Sequence, residues 1–220
     1  MTESEARDEI CRVGKSLFER GYVHATAGNI SARLDDGFLI TPTDACLGFL
    51  QPQQLARLDL DGRQLGGDTA SKTLALHRRI YESTRGFSDA PRCVVHTHST
   101  HCVALTLEVH GAELLPAITP YYLMKVGRVP VLPYHRPGDP AAAELVGQTI
   151  ARYAAAGTQL RGVMLARLGP SVWHATPALA MAVLEELEET ARLWSLTGQR
   201  PRALDADQIE HLRVHFGARW

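Results

Sequence analysis

The sequence predicts a layered α/β domain, and three observations predict it. Short apolar runs of strand character, such as "CVVHTH" (93–98) and "GVMLARLG" (162–169), alternate with longer segments of helical period. Helix boundaries are written in capping residues, with Asp139-Pro140 and Thr176-Pro177 as starts and Gly21 and Gly198 as stops. The 220 residues, 45% of them hydrophobic and free of repeats or low-complexity linkers, suit a single domain that buries most of its unfolded surface. We read it as one domain over 1–220, with a helix at about 205–216 as a C-terminal appendage.

Taken in order, "SEARDEICRVGKSLFERGY" sets Ile10, Val13, Leu17 and Phe18 on one helical face, closed by Gly21. "HATAGNISARL" reads as a loop. "GFLITPT" is a short strand ending at Pro42, and "LDLDGRQL" is a hairpin turning at Asp61-Gly62. "SKTLALHRRIYES" is helical, with Leu74, His77, Ile80 and Tyr81 on one stripe. "CVVHTH" is a buried strand, followed by a helix "STHCVALTLE", and "RVPVLPY" is another strand. "RPGDPAAAELVGQTIARYAAAG" is a helix capped by Asp139, and "GVMLARLG" an apolar strand leading to Val172-Trp173. "TPALAMAVLEELEETARLWSLTG" is the clearest helix, its Glu185, Glu186, Glu188 and Glu189 reading as a solvated face. "DADQIEHLRVHF" is an amphipathic helix with Ile209, Leu212 and Phe216 on one side.

Composition removes several function classes. Net charge is −1, from 23 basic and 24 acidic residues well mixed, which leaves no electrostatic footprint for nucleic acid or an anionic membrane. Cys11, Cys46, Cys93 and Cys102 form no C-x-x-C pair and suggest neither a zinc knuckle nor a disulfide framework. The charged start "MTESEARDEI" is unlike a secretory signal, and no apolar run approaches the roughly 18 residues of a membrane span. The expectation is a cytoplasmic protein whose partner is a small molecule.

Two stretches carry candidate chemistry. His96 and His98 lie two apart in a strand, so both side chains share a face with Cα atoms roughly 6.5 Å apart. They read either as two imidazoles converging on one divalent ion or as polar residues closing a buried strand. His101 follows as an outer or packing residue. "TAGNISAR" brings Gly28, Asn29 and Ser31, small enough for backbone amides to approach an anion, and "ITPTDA" and "DTASK" add Thr43, Ser71 and Lys72. Together these three segments suit a phosphate cradle, or else simply turn the chain. Trp173 and Trp194 read as core or interface residues.

These motifs occur in an order that resembles the class II aldolase/adducin family: "TAGNIS", "ITPT", "SK" followed by His77, "VVHTHSTHC", "PYY", "PVLPYHRPGDP", "GP" and "EELEETARL", over about residues 8–197. "TPTDACLGFL" and "TPYYLMKVGRVPVLPYHRPGDP" are most similar to its 3-oxo-tetronate 4-phosphate decarboxylase branch. The resemblance implies a three-layer α/β/α fold with a central, mostly antiparallel sheet. It also implies a homotetramer with sites between subunits, in which Tyr121 and Tyr122 would line a neighbour's site or else only pack a loop. A divalent metal, usually zinc, would sit on His96, His98 and a third histidine, and polarise a carbonyl or enediolate as a carbon–carbon bond breaks. Phosphate would rest near Gly28, Asn29, Ser31, Thr43, Ser71 and Lys72. The implied activity is decarboxylation or aldol cleavage of a small phosphorylated sugar acid.

The chain departs from that pattern twice. Where the family has asparagine-histidine-glycine, this sequence has Arg167-Leu168-Gly169, and leucine binds no metal. The family's acid/base glutamate precedes the helix histidine by four residues, and counting back from His77 gives Thr73. A threonine hydroxyl does not exchange a proton near neutral pH as a tuned carboxylate does. Catalytic roles then fall to Thr73, Arg167 and Tyr121, with His24, His174 or Asp68 as a replacement third ligand beside His96 and His98. Arg167, by its planar fork, would hold a carboxylate or phosphate, or else face solvent. The open alternatives are a metal-independent enzyme on the same fold and a non-catalytic binding or assembly protein.

Overall fold

A computed structural model describes residues 1–107, 111–218 and 220. Its centre is an eight-stranded sheet in the order β4-β3-β2-β1-β5-β8-β7-β6. The strands are β1 (Asn29–Arg33), β2 (Phe38–Ile40), β3 (Ala56–Leu58), β4 (Gln64–Gly66), β5 (Cys93–His96), β6 (Val131–Leu132), β7 (Gly162–Leu165) and β8 (Gly169–His174). Each pairing is antiparallel except that of β6 with β7. This is the mostly antiparallel sheet that the resemblance implies.

Helices cover both faces. On one lie α1 (Glu3–Glu19), α3 (Thr100–Ala104) and α5 (Pro177–Leu196), and on the other α2 (Leu74–Ser83) and α4 (Pro140–Ala155). Alternation along the strands sorts the side chains between them. Ile30, Ala32, Cys93 and Val95 join Ile10, Val13, Leu17, Leu184 and Leu187 in one core. Val94, Ile40, Leu58, Val163 and Trp173 join Ile80, Tyr81, Val146 and Ile150 in the other. Each fully buried aliphatic side chain in these layers is worth about 1.5–3 kcal/mol of transfer free energy. The starts of α4 and α5 follow the sequence: Asp139 Oδ1 accepts from Ala141 N and Thr176 Oγ1 from Leu179 N.

The differences from the sequence reading have physical causes. Asn29–Arg33, read as part of a loop, is the central strand β1. Only Ile30 and Ala32 on it are aliphatic, and its polar Ser31 is buried because Tyr81 and His77 satisfy the hydroxyl. "GVMLARLG" is two strands, because Arg167 takes a left-handed φ of 66° and Leu168 N donates to Leu165 O, closing a tight turn between β7 and β8. "CVVHTH" stays a strand only to His96, and the helix after it ends at Ala104; Glu108, the last residue of that expected helix, lies outside the described residues. The C-terminal helix α6 (Ala206–Phe216) docks through Ile209 and Leu212, while Phe216 stays exposed. Glu188, read as solvated, is buried against α3.

Candidate active site

A cleft opens where the start of β1 and the end of β5 meet the amino ends of α2 and α4. Sheet register brings its first two residues together: Asn29 of β1 lies opposite His96 of β5. Gly28 makes that approach possible, since a side-chain carbon there would come within 2.9 Å of the His96 carbonyl oxygen. Asn29 is 7% exposed, and its Oδ1 is buried without a hydrogen-bond partner while its side chain lines the cleft. The two helix entries are close: a side-chain carbon added to Gly138 would come within 3.9 Å of Lys72 Cβ.

The rings of His96 and His98 stand edge to face with centroids 5.3 Å apart, and both line the cleft. His96 Nδ1 is 3.0 Å from Pro170 O and 3.1 Å from Ser171 Oγ. A carbonyl only accepts, so Nδ1 carries the proton and Nε2 keeps its lone pair. Burial, with the neighbouring His98, pushes the His96 imidazole down to about 3. Desolvation, with His24 beyond, lowers His98 as well. Beneath them His77 is fully buried, its Nδ1 on Ser31 Oγ at 2.8 Å, its Nε2 without a partner, and its basicity pushed by burial to about 3. At neutral pH these imidazoles are uncharged hydrogen-bonding groups.

Thr73 and Lys72 line the cleft at the start of α2. Thr73 occupies the N-cap position without making a side-chain cap; its hydroxyl is instead 2.9 Å from Ser71 Oγ. Leu168 lines the same cleft. Gly169 packs its backbone against residues 97 and 98, so that a side-chain carbon there would overlap the Thr97 carbonyl and come within 3.1 Å of His98 Cα. Positions 73 and 168, singled out as departures, therefore line the same cleft as the histidine pair.

The structure thus brings together Asn29, Lys72, Thr73, His96 and His98, with Ser71 hydrogen-bonded beside them. It does not bring the others in. Ser31 belongs to the buried network of Tyr81 and His77. Thr43 lies outside the lining, its amide donating to Thr69 O. Arg167 points its guanidinium at Leu107 O, 3.1 Å away, and Tyr121 is exposed on the surface. Sequence reasoning missed Arg136, which lines the cleft from "HRPGDP" just before α4. A cation three residues ahead of an N-cap was the available signal. It also missed Glu188, whose carboxylate accepts from His101 N at 2.8 Å, His101 Nδ1 at 2.9 Å and Cys102 N at 3.0 Å, fixing the segment after His98.

The residues present do not fit a three-ligand metal centre. Among the described residues no group of three or more His, Cys, Asp or Glu side chains is placed to hold an ion. Of the replacement ligands considered, His174 lines a separate hollow with Phe87 and Trp173, and Asp68 sits 3.4 Å from Gln54 Nε2. His24 is exposed and outside the cleft lining. Apolar side chains, among them Leu76, Leu165, Leu168 and Ala143, form part of the lining shared with His96 and His98. No helix among the described residues is long and apolar enough to cross a membrane.

Known proteins resemble this chain over most of its length. The profile described as Class II Aldolase and Adducin N-terminal domain matches residues 8–195. The 3-oxo-tetronate 4-phosphate decarboxylase of Cupriavidus necator is 53% identical over 226 residues, spanning 100% of this chain and 99% of its own length. The protein of the same name from Escherichia coli K12 is 40% identical over 217 residues, 96% of each chain. Among solved structures, YgbL from Klebsiella pneumoniae superposes with a TM-score of 0.83 at 40% identity, covering 97% of this chain and 100% of that one.

Proposed function

The chain belongs to the class II aldolase and adducin family, and on that premise we propose that it is a carbon–carbon lyase that decarboxylates a small phosphorylated sugar acid. The observation that carries this reading is the full-length identity of 53% to a protein named 3-oxo-tetronate 4-phosphate decarboxylase. That name describes a four-carbon acid with a ketone β to its carboxylate and a phosphate at the far end. The cleft suits such a molecule. Lys72 and Arg136 offer cations to the two anionic ends, and His96, His98 and Asn29 offer hydrogen bonds to the oxygens between. The amino end of α2, which Thr73 leaves without a side-chain cap, favours an anion beside Ser71 and Lys72.

The residue at position 73 bears on the reaction type. Loss of carbon dioxide from a 3-oxo acid needs an electron sink at the ketone and no base to begin it. Aldol cleavage needs both a sink and a base that removes a hydroxyl proton. Thr73 is no such base, which favours decarboxylation over aldol cleavage. Zinc on His96 and His98 takes no part in this reading, since a catalytic zinc site has about three protein ligands and the third position is Leu168.

The departures at Thr73 and Leu168 also favour a second reading, in which the cleft binds the phosphorylated acid without turning it over. Incubation with 3-oxo-tetronate 4-phosphate, followed by release of carbon dioxide and of a three-carbon hydroxyketone phosphate, separates the two. Turnover supports the lyase. A rise in melting temperature without product moves the assignment to a binding protein. We further propose a cytoplasmic homotetramer in which exposed Tyr121 and Phe216 lie near subunit contacts. Light scattering that gives the mass of one chain rules the tetramer out.

A further inference from the structure

Resting on the lyase reading, we infer that this cleft works without a resident metal, and that Lys72 and Arg136 supply the positive charge facing the substrate in its place. The first support is the position of Leu168. The contact of Gly169 with the backbone of residues 97 and 98 leaves little freedom in where residue 168 lies. A side chain at 168 lines the same cleft as His96 and His98, and here it packs onto the apolar cluster that includes Leu76, Leu165 and Ala143. Where the resemblance implies a metal-binding histidine, this chain places an apolar side chain.

The second support is the charge that remains. Among the described residues no carboxylate lies within ion-pairing distance of Lys72. Arg136 Nε is 4.0 Å from Asp139 Oδ2, at the outer edge of pairing, while Asp139 Oδ1 is occupied by Ala141 N. Both cations therefore remain available to a ligand. The third support is Asn29, an amide more than nine-tenths buried with an unpartnered Oδ1 in the same cleft. Turned one way its amide accepts from a substrate hydroxyl; turned the other it donates to an anion.

The step balances without a metal. The bond between the carboxylate carbon and its neighbour breaks, and its electron pair moves toward the ketone oxygen as an enolate. Carbon dioxide leaves. Water protonates the enolate carbon, and the hydroxide left behind combines with carbon dioxide as bicarbonate. The positive field of Lys72 and Arg136 at the two ends of the substrate, with hydrogen bonds from His98 and Asn29 to the ketone oxygen between them, lowers the energy of the enolate, the task a Lewis acid performs elsewhere.

The test is a zinc chloride titration by calorimetry of the wild-type protein and of Leu168→His, each checked for fold by circular dichroism. The expected result is no saturable one-per-chain binding by the wild type, and at least about tenfold tighter binding by the variant, which regains a third ligand. Tight one-to-one binding by the wild type overturns the inference. A folded Leu168→His that binds no better than the parent overturns the role given to position 168. Alongside this, decarboxylation of 3-oxo-tetronate 4-phosphate is measured with and without a chelator. An unchanged rate supports the inference, and a rate abolished by chelator and restored by zinc overturns it. No turnover in either condition defeats the lyase reading instead, and the titration still decides whether the cleft takes metal. The double variant Lys72→Ala/Arg136→Ala is expected to lose the thermal stabilisation that the substrate gives; full retention overturns the role of the two cations.

Discussion

Gly169 and Thr97 pack so closely that no side chain fits between them: a carbon added to Gly169 would overlap the Thr97 carbonyl oxygen. The φ of Gly169, 132°, is one that residues with side chains rarely adopt. This contact joins the start of β8 to the segment carrying His98 and sets Leu168 beside the histidines. Gly169→Ala therefore combines backbone strain with a clash against main chain that has no flexible end to yield. We expect a loss of about 3 kcal/mol or more in urea unfolding. A loss within the range of an ordinary surface change contradicts the contact.

Glu188 holds the other side of the same segment. Its carboxylate accepts from two backbone amides at the start of α3 and from the His101 ring, and the residue is 7% exposed. Bonds to a charged acceptor are worth more than neutral ones, and the amides left behind have no ready access to water. Glu188→Ala is expected to cost about 2–4 kcal/mol, and Glu188→Gln, which keeps one acceptor oxygen, clearly less. Equal losses in the two variants rule out the capping role and leave only packing.

Acid should unfold this protein early. His77 and His96 are buried and held down to about 3, with desolvation the largest cause for each. In the unfolded chain each titrates near its ordinary value of about 6.5. Above that pH both states are neutral and the histidines contribute nothing to the pH dependence. As pH falls from about 6.5 toward 3 the unfolded state takes up protons that the folded state refuses, so stability falls by up to about 1.4 kcal/mol per unit per histidine. Urea midpoints at pH 7, 6 and 5 should decline, and His77→Gln should flatten the slope below pH 6. An unchanged slope in that variant places the acid sensitivity elsewhere.

The elements that were legible in the sequence are those whose local signal agrees with their environment. The long helices α1, α4 and α5 carry periodic apolar faces and capping residues, and β5 carries an apolar run. β1 was not legible, because a central strand with asparagine, serine and arginine on one face becomes tolerable only when Tyr81 and His77 arrive from α2. Of the site, the histidine pair, Thr73 and the meaning of Leu168 were readable from motif order. Arg136 and Glu188 were not, since "HRPGDP" looks like a helix entry and "EELEE" like a solvated face until tertiary packing turns one toward the cleft and the other onto α3. Arg167 misled for the opposite reason: a cation beside the expected ligand position points to Leu107, because the left-handed turn it occupies reverses the chain there.

Thr73 offers the last test, because the reaction type turns on it. Its hydroxyl is engaged with Ser71 Oγ at 2.9 Å at the start of α2, and it lines the cleft across from His96 and His98. If the chain decarboxylates a 3-oxo acid, no group at position 73 has to take a proton before the carbon–carbon bond breaks. Thr73→Ala then removes one neutral hydrogen bond, of about 0.5–1.5 kcal/mol, and kcat should fall by about tenfold at most. General acid–base catalysis is worth about 10²–10⁴-fold, so a drop of that size gives Thr73 a chemical role that its ordinary acidity does not supply. Thr73→Glu separates the cases further. A carboxylate beside Lys72 and the amino end of α2 competes with the substrate's own anionic groups, so KM should rise while kcat changes little. A Thr73→Glu enzyme that gains kcat at unchanged KM would instead show that the parent cleft is limited by the missing base, and the reaction would have to be reassigned to one that begins with proton removal.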